Sequence, residues 1–221
     1  MTSALLLLQL ADSAFPTGGF AHSGGLEAAT QLGEIAGAQG LERTLIQSLH
    51  QAARASLPLV LAAHADPSRL AELDHLCDAF TTGAVANRAS RAQGRAWLAA
   101  AAAAFGIPAL GDLRRTLRAS LDPGHLAPVF GAVTAHLALA RADAALLFLF
   151  LHLRGMVSSA VRLGLVGPLE AQSLQARLAP TLETLRARAD GLTEADLATT
   201  APLLDLFQCH HDNLYSRLFS S

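Results

Sequence analysis

The stretch "DAALLFLFLHLRGMVSSAVRLG", residues 143–164, is apolar nearly all the way round when wound as a helix. A helix of that kind has no face to give to water, so it belongs at the centre of a bundle with other helices packed about it. Gly155, Ser158, Ser159 and Ala160 on it are small enough for neighbouring backbones to come close. The rest of the chain supplies candidates for those neighbours. Leu41, Leu45, Leu49 and Ala52 recur at helical spacing, as do Leu70, Leu73, Cys77 and Phe80, and Leu174, Leu178, Leu182 and Leu185. Punctuation agrees with periodicity. Asp66-Pro67 reads as an N-cap followed by a first helical residue, Gly167-Pro168 as a stop and a restart, and Thr193-x-x-Asp196 as a capping-box-like entry.

No run alternates apolar and polar residues convincingly, and β-branched residues are sparse. The expected architecture is therefore all-α: one domain over residues 1–221, an irregular, orthogonal bundle of about eight to ten helices around a central helix at about 143–163. The clearest break, "SLDPGHLAP" at 120–128, carries an Asp-Pro-Gly turn. It reads as a connection inside the domain, because the central helix lies beyond it.

The chain is 52% apolar and only 15% charged, which requires either a membrane or a large buried surface. A span needs about 20 consecutive apolar residues; Ala144–Leu153 offers half that, bracketed by Asp143 and Arg154. "ALLLLQLA" at residues 4–11 has no basic residue before it and meets Asp12 at once, unlike a secretory signal. The apolar excess is accordingly assigned to core and partner interfaces, with no membrane partner. A net charge of −2 provides no basic field for nucleic acid. Cys77 and Cys209 form neither a disulfide framework nor a metal knuckle, and favour a reducing cytoplasm.

All sixteen basic residues are arginine. Without lysine there is no P-loop, no Schiff-base amine and no kinase strand lysine. Six of the nine histidines (His50, His64, His75, His125, His136 and His152) stand alone. His210-His211-Asp212 is a cluster, but adjacent helical residues point about 100° apart and do not share one ion. Neither HExxH nor GxSxG occurs. His22 beside Ser23 lacks the orienting acid and oxyanion donors of a triad. No cofactor or metal is expected. The alternatives from other classes are a small metal-dependent helical enzyme using His22, His210, His211 and a carboxylate, or an orphan helical scaffold.

Two segments carry more than packing requires. "FPTGGFAHSGGLEAATQ" (15–31) lacks P-loop spacing, so it reads as a glycine-built turn feeding a helix. Ser23 or Gly24 is the N-cap, the helix starts near Gly25, and Glu27 sits in the first turn, where it complements the dipole. Phe15, Pro16 and Phe20 are costly to display unless they pack on the core or on another chain. "QCHHDNLYSRLFSS" (208–221) stays amphipathic, with His211, Tyr215 and Leu218 on one helical face and Arg217 and Phe219 close by. That tail either packs on its own bundle or orders only when a partner binds.

"LLLQLADSAFPTGGFAHSGGLEAA", "RAQGR" (91–95), "VSSAVRLGLVGPLEAQ" (157–172) and "HHDNLYSRLFSS" occur in this order and span nearly the whole chain. Together they resemble the UreF urease accessory proteins. The resemblance implies an all-α homodimer and a non-enzymatic chaperone of urease nickel-centre assembly. Such a protein binds a UreD/UreH-type scaffold, recruits the UreG-type GTPase, modulates its GTP hydrolysis and helps hand nickel to apo-urease. The same resemblance implies contacts to the scaffold through His211, Tyr215, Arg217, Leu218 and Phe219. It implies contacts to the GTPase on the Phe20–Glu27 helix entry, which includes His22 and Ser23, and on Arg95; Phe15, Pro16, Gly18, Gly19 and Ser216 are further candidate partner-binding residues, with the partner they meet left open. Three features depart from the family pattern. The run Ala96–Phe105 is unusually rich in alanine, Gly24-Gly25 is looser than a helix start needs, and the histidine is doubled. His211 is favoured over His210 for its four-residue spacing to Tyr215.

Overall fold

The computed structural model describes residues 2–120 and 122–221; Met1 and Leu121, the latter inside the Asp-Pro-Gly break, lie outside the described residues. The segment 143–164 forms α9 (Arg141–Arg162), and the remaining helices are built around it. It touches α1 (Ser3–Ala11), α2 (Leu26–Gln31), α3 (Gly37–Ala55), α4 (Leu57–Ala65), α8 (Leu126–His136) and α10 (Pro168–Arg188). Leu149, Leu153 and Ala160 on it are fully buried. Among the described residues α9 is the one helix long and apolar enough to cross a membrane. Here that apolarity is matched by the six helices packed against it.

An outer layer of α5 (Leu70–Phe80), α6 (Ala84–Phe105), α7 (Pro108–Ala119) and α11 (Pro202–His210) completes an all-α bundle, with no strand among the described residues. Among the described residues there are eleven α-helices, one of them the six-residue α2, beside an expectation of about eight to ten. Leu41, Leu45 and Leu49 on α3 and Leu174, Leu178, Leu182 and Leu185 on α10 all face the core. Pro168 opens α10 behind its Gly167 cap, and the Thr193–Asp196 capping box forms, although it starts a 3₁₀ turn.

Of the small residues on α9, Ser159 and Ala160 are buried against neighbours, but Gly155 is not a point of close approach. A Cβ on Gly155 would meet nothing within 4 Å. Backbone contact occurs at Gly131 on α8, where a Cβ would sit 2.9 Å from the Val60 carbonyl carbon and closer still to its oxygen. It occurs again at Gly94 on α6, the glycine of "RAQGR", where a Cβ would lie 2.6 Å from the His125 carbonyl carbon. Gly94 therefore lets the Asp-Pro-Gly connection cross directly over α6.

That connection is anchored by buried polar groups. The Asp74 carboxylate accepts the backbone N–H groups of Gly124 (2.6 Å) and His125 (2.7 Å). Burial nonetheless pushes the Asp74 carboxyl above the usual range. The His125 ring, fully buried, pairs with Ser90 Oγ and Asp78 Oδ1, each at 3.0 Å. Ser–His–Asp in a row has the layout of a nucleophilic relay. Here Ser90 Oγ also accepts the N–H of Leu126, and the neighbouring backbone amides that could serve an oxyanion are held by Asp74. The arrangement fastens α5, α6 and the start of α8 together.

Candidate partner-binding site

The two segments singled out at opposite ends of the sequence meet in space. The loop from Phe15 leads through a left-handed Gly18 (φ +72°) into a 3₁₀ turn, Gly19–Ala21. Gly24 and Gly25 then both adopt positive φ, +62° and +89°, the region where a Cβ is strained. Gly25 has a second constraint. A Cβ there would lie 3.1 Å from the Leu204 carbonyl oxygen, because α11 packs directly on the start of α2. The doubled glycine thus combines a turn with a close helix approach.

The N-cap is Gly25, and α2 begins at Leu26, correcting the expectation of Ser23 or Gly24. Ser23 instead binds the far end of the chain. Its N–H donates to the Ser221 main-chain oxygen at 2.6 Å, and its hydroxyl to the same atom at 3.0 Å. Ser220 N–H donates to Ala21 O, and His22 Nδ1 lies 2.6 Å from Ser221 Oγ. Burial and the nearby His211 hold His22 below its usual pKa.

Glu27 is the pivot. Only 2% exposed, it accepts the backbone N–H groups of Leu218 (2.6 Å) and Phe219 (3.2 Å). His211 is fully buried beside it, with Nδ1 3.7 Å from Glu27 Oε2 and Nε2 paired with the Phe219 carbonyl. Of the two adjacent histidines, His211 is the one buried inside this junction. Arg162, at the end of α9, lies between the rings of Phe20 (3.8 Å) and Phe219 (4.1 Å) and donates to the Phe20 carbonyl. Such a guanidinium placed between two aromatic faces gains cation–π attraction from both. Arg88 Nη2 donates to both carboxylate oxygens of Asp212 at 2.9 Å, and Asp212 approaches Arg217 at 3.6 Å, joining the tail to α6.

The helical face expected for His211, Tyr215 and Leu218 does not form. α11 ends at His210, a 3₁₀ turn covers His211–Asn213, and the chain beyond runs without helix. The amides of Leu218, Phe219 and Ser220 are taken by Glu27 and Ala21, so they have no need of helical carbonyls. In consequence Ser23, Glu27, His211 and Phe219 are inside the junction and hold it together. Phe20 (70% exposed), Tyr215 (fully exposed), Ser216, Arg217 and Leu218 face outward. Phe15 is buried against Trp97 and Phe105, while Pro16 and Phe20 remain on the surface. Gly18 and Gly19 shape the turn between them. Arg95 is exposed and donates to the Asp122 carbonyl in the Asp-Pro-Gly connection, apart from the junction contacts.

Sequence reasoning missed Arg162, although it stands in the quoted "VSSAVRLG". An arginine closing an otherwise apolar central helix was the available signal. The polar knot around His125 was also missed. Asp74 and Asp78, one helical turn apart beside an apolar stripe, were its trace.

The architecture is an all-α bundle whose two chain ends close on each other beside an exposed cluster of Phe20, Tyr215, Arg217 and Leu218. The UreF family model matches residues 35–179, and the chain belongs to the UreF family of urease accessory proteins. It is 38% identical over 217 residues to urease accessory protein F of Arabidopsis thaliana, covering 96% of this chain and 90% of the relative. Identity to urease accessory protein F of Oryza sativa subsp. indica is 37% over 215 residues, covering 96% and 82%. The urease accessory protein UreF of Bacillus sp. (strain TB-90) aligns over the whole of both chains at 28% identity, so that likeness includes both ends of the junction.

Proposed function

We propose that this chain is an adaptor in urease maturation. It bridges a UreD/UreH-type scaffold and a UreG-type GTPase, modulates GTP hydrolysis by that partner, and so promotes nickel delivery to apo-urease. It acts as a cytoplasmic homodimer and leaves the nucleotide to the GTPase. The observation that carries the reading is the composite surface. Phe20 from one end of the chain and Tyr215, Arg217 and Leu218 from the other are displayed beside a junction that buries their neighbours. Exposed Tyr and Arg around a buried base are the residue types that dominate binding energy at interfaces.

Co-expression with urease structural and accessory subunits, followed by pull-down, tests it. Scaffold and GTPase are expected to co-purify with the wild-type chain, and absence of both would reject the adaptor role. Among the described residues no three His, Cys, Asp or Glu side chains gather into a metal-binding group, so the metal-enzyme alternative gains no support from geometry.

A further inference from the structure

His22 stands in the middle of the contact between the two ends of the chain. On one side of it Ala21 accepts the N–H of Ser220 at 2.8 Å. On the other, Ser23 gives its N–H and its hydroxyl to the Ser221 main-chain oxygen. The His22 ring itself meets Ser221 Oγ through Nδ1 at 2.6 Å. The docked tail therefore lies directly against this half-buried ring.

The charged and titratable groups of the junction come from three elements. α2 supplies Glu27, whose oxygens already take the amides of Leu218 and Phe219. α9 supplies a cation, Arg162, with Ser159 Oγ on the His22 carbonyl at 3.4 Å. The turn after α11 supplies Asp212, held by Arg88 and Arg217, and the fully buried His211. His211 Nε2 faces a carbonyl and so carries the hydrogen, while its Nδ1 has no hydrogen-bond partner and lies 3.7 Å from Glu27 Oε2. That nitrogen is the rival place for a proton. A proton on His22 would put a cation partly out of water, with both carboxylates already committed, which is costly. Burial first, and His211 second, hold His22 below its ordinary 6.5.

We infer that His22 is a proton-operated release for the tail: with its ring neutral the segment ending at Ser220 and Ser221 docks, and protonation of the ring loosens it. Docking and protonation oppose each other reciprocally, so whatever docking costs the proton, the proton costs docking. Above pH 6.5 the ring is neutral whether the tail is docked or free. Below it, the undocked chain takes up a proton that the docked chain refuses, and docking weakens as pH falls. On the adaptor reading, on which this consequence alone rests, acidification withdraws Tyr215, Arg217 and Leu218 from their place beside Phe20.

Hydrogen exchange of the Leu218 and Phe219 amides in the full chain, each rate divided by its intrinsic rate at the same pH, reads docking without any partner protein. Between pH 7.5 and pH 5.5 their protection is expected to fall, by up to about tenfold, the most that one group titrating at 6.5 in the undocked chain allows. His22→Gln keeps a polar contact for Ser221 Oγ but takes up no proton, and its tail protection is expected to stay flat over that range. Unchanged protection in wild type would overturn the proposal. So would an equal fall in His22→Gln, which would move the proton to His211. Should His22→Gln fail to dock, the wild-type ring decides. Followed by NMR, His22 is expected to titrate below 6.5 and in step with the loss of protection, and titration at 6.5 or above would overturn the proposal. Capture of the UreD/UreH-type scaffold at the two pH values tests the adaptor reading separately. Loss of tail protection supports the release, and unchanged capture alongside it rejects only the outward face as the scaffold site.

Discussion

Glu27 Oε1 lies 2.6 Å from the backbone nitrogen of Leu218, a contact between residues 191 positions apart in sequence. With the Phe219 amide on the other oxygen, one buried carboxylate holds the segment around Leu218 and Phe219 against the start of α2. A carboxylate receiving two amides makes charge-assisted bonds stronger than neutral ones.

Glu27→Ala should therefore release the tail. Hydrogen exchange at residues 216–221 is expected to accelerate by one to two orders of magnitude, with about 1.5–3 kcal/mol lost from the local docking equilibrium. Exchange in α9 and α10 should be unchanged. Equal protection of the tail in wild type and variant would show that Glu27 does not hold it.

Tyr215→Ala should leave stability within about 0.5 kcal/mol of wild type, because the side chain is fully exposed. The same change should reduce capture of the UreD/UreH-type scaffold in pull-down. If helicity collapses instead, the tail is part of the core; if capture is unaffected, the outward face of the junction is not where the scaffold binds.

Three glycine-to-alanine changes should separate by sign. Gly131→Ala and Gly94→Ala drive a methyl into the backbone of α4 and of the Asp-Pro-Gly connection, and each should cost about 1–3 kcal/mol or more in urea unfolding. Gly155→Ala meets open space in a helix interior and should stabilise by about 0.5–1 kcal/mol. A destabilised Gly155→Ala would contradict the open space on that face of α9.

Stability should also fall on mild acidification because of His152. Its folded pKa, about 4, lies below the ordinary value of 6.5. Above pH 6.5 the ring is neutral in both states and imposes no proton penalty. As pH falls from 6.5 toward 4, the unfolded chain binds a proton that the folded chain refuses, and stability declines by up to about 3 kcal/mol. The difference in urea midpoint between wild type and His152→Gln, followed from pH 8 to pH 4, should change over that window. A constant difference would remove His152 as the cause.

Local order was legible in the sequence wherever one short segment contains its own reason. The helical stripes of α3 and α10, the Pro168 start and the Thr193–Asp196 box depend on spacing of three or four residues, and the apolarity of α9 dictates a central position whatever its neighbours are. The UreF resemblance lay in four such segments. The close approaches of Gly94 and Gly131 and the fate of the tail depend on what lies opposite in three dimensions. The sequence shows that Gly155 is small but not that nothing packs on it. It shows an amphipathic ending but not that Glu27 and Ala21 take the amides a helix would need. By itself, then, the sequence determined an all-α bundle, its central helix and its family, because hydrophobic periodicity is a local property. Only the tertiary structure decided that the two ends of the chain form one junction, with Glu27 and His211 inside it and Tyr215 outside, because hydrogen bonds spanning nearly the whole chain exist only once the fold has closed.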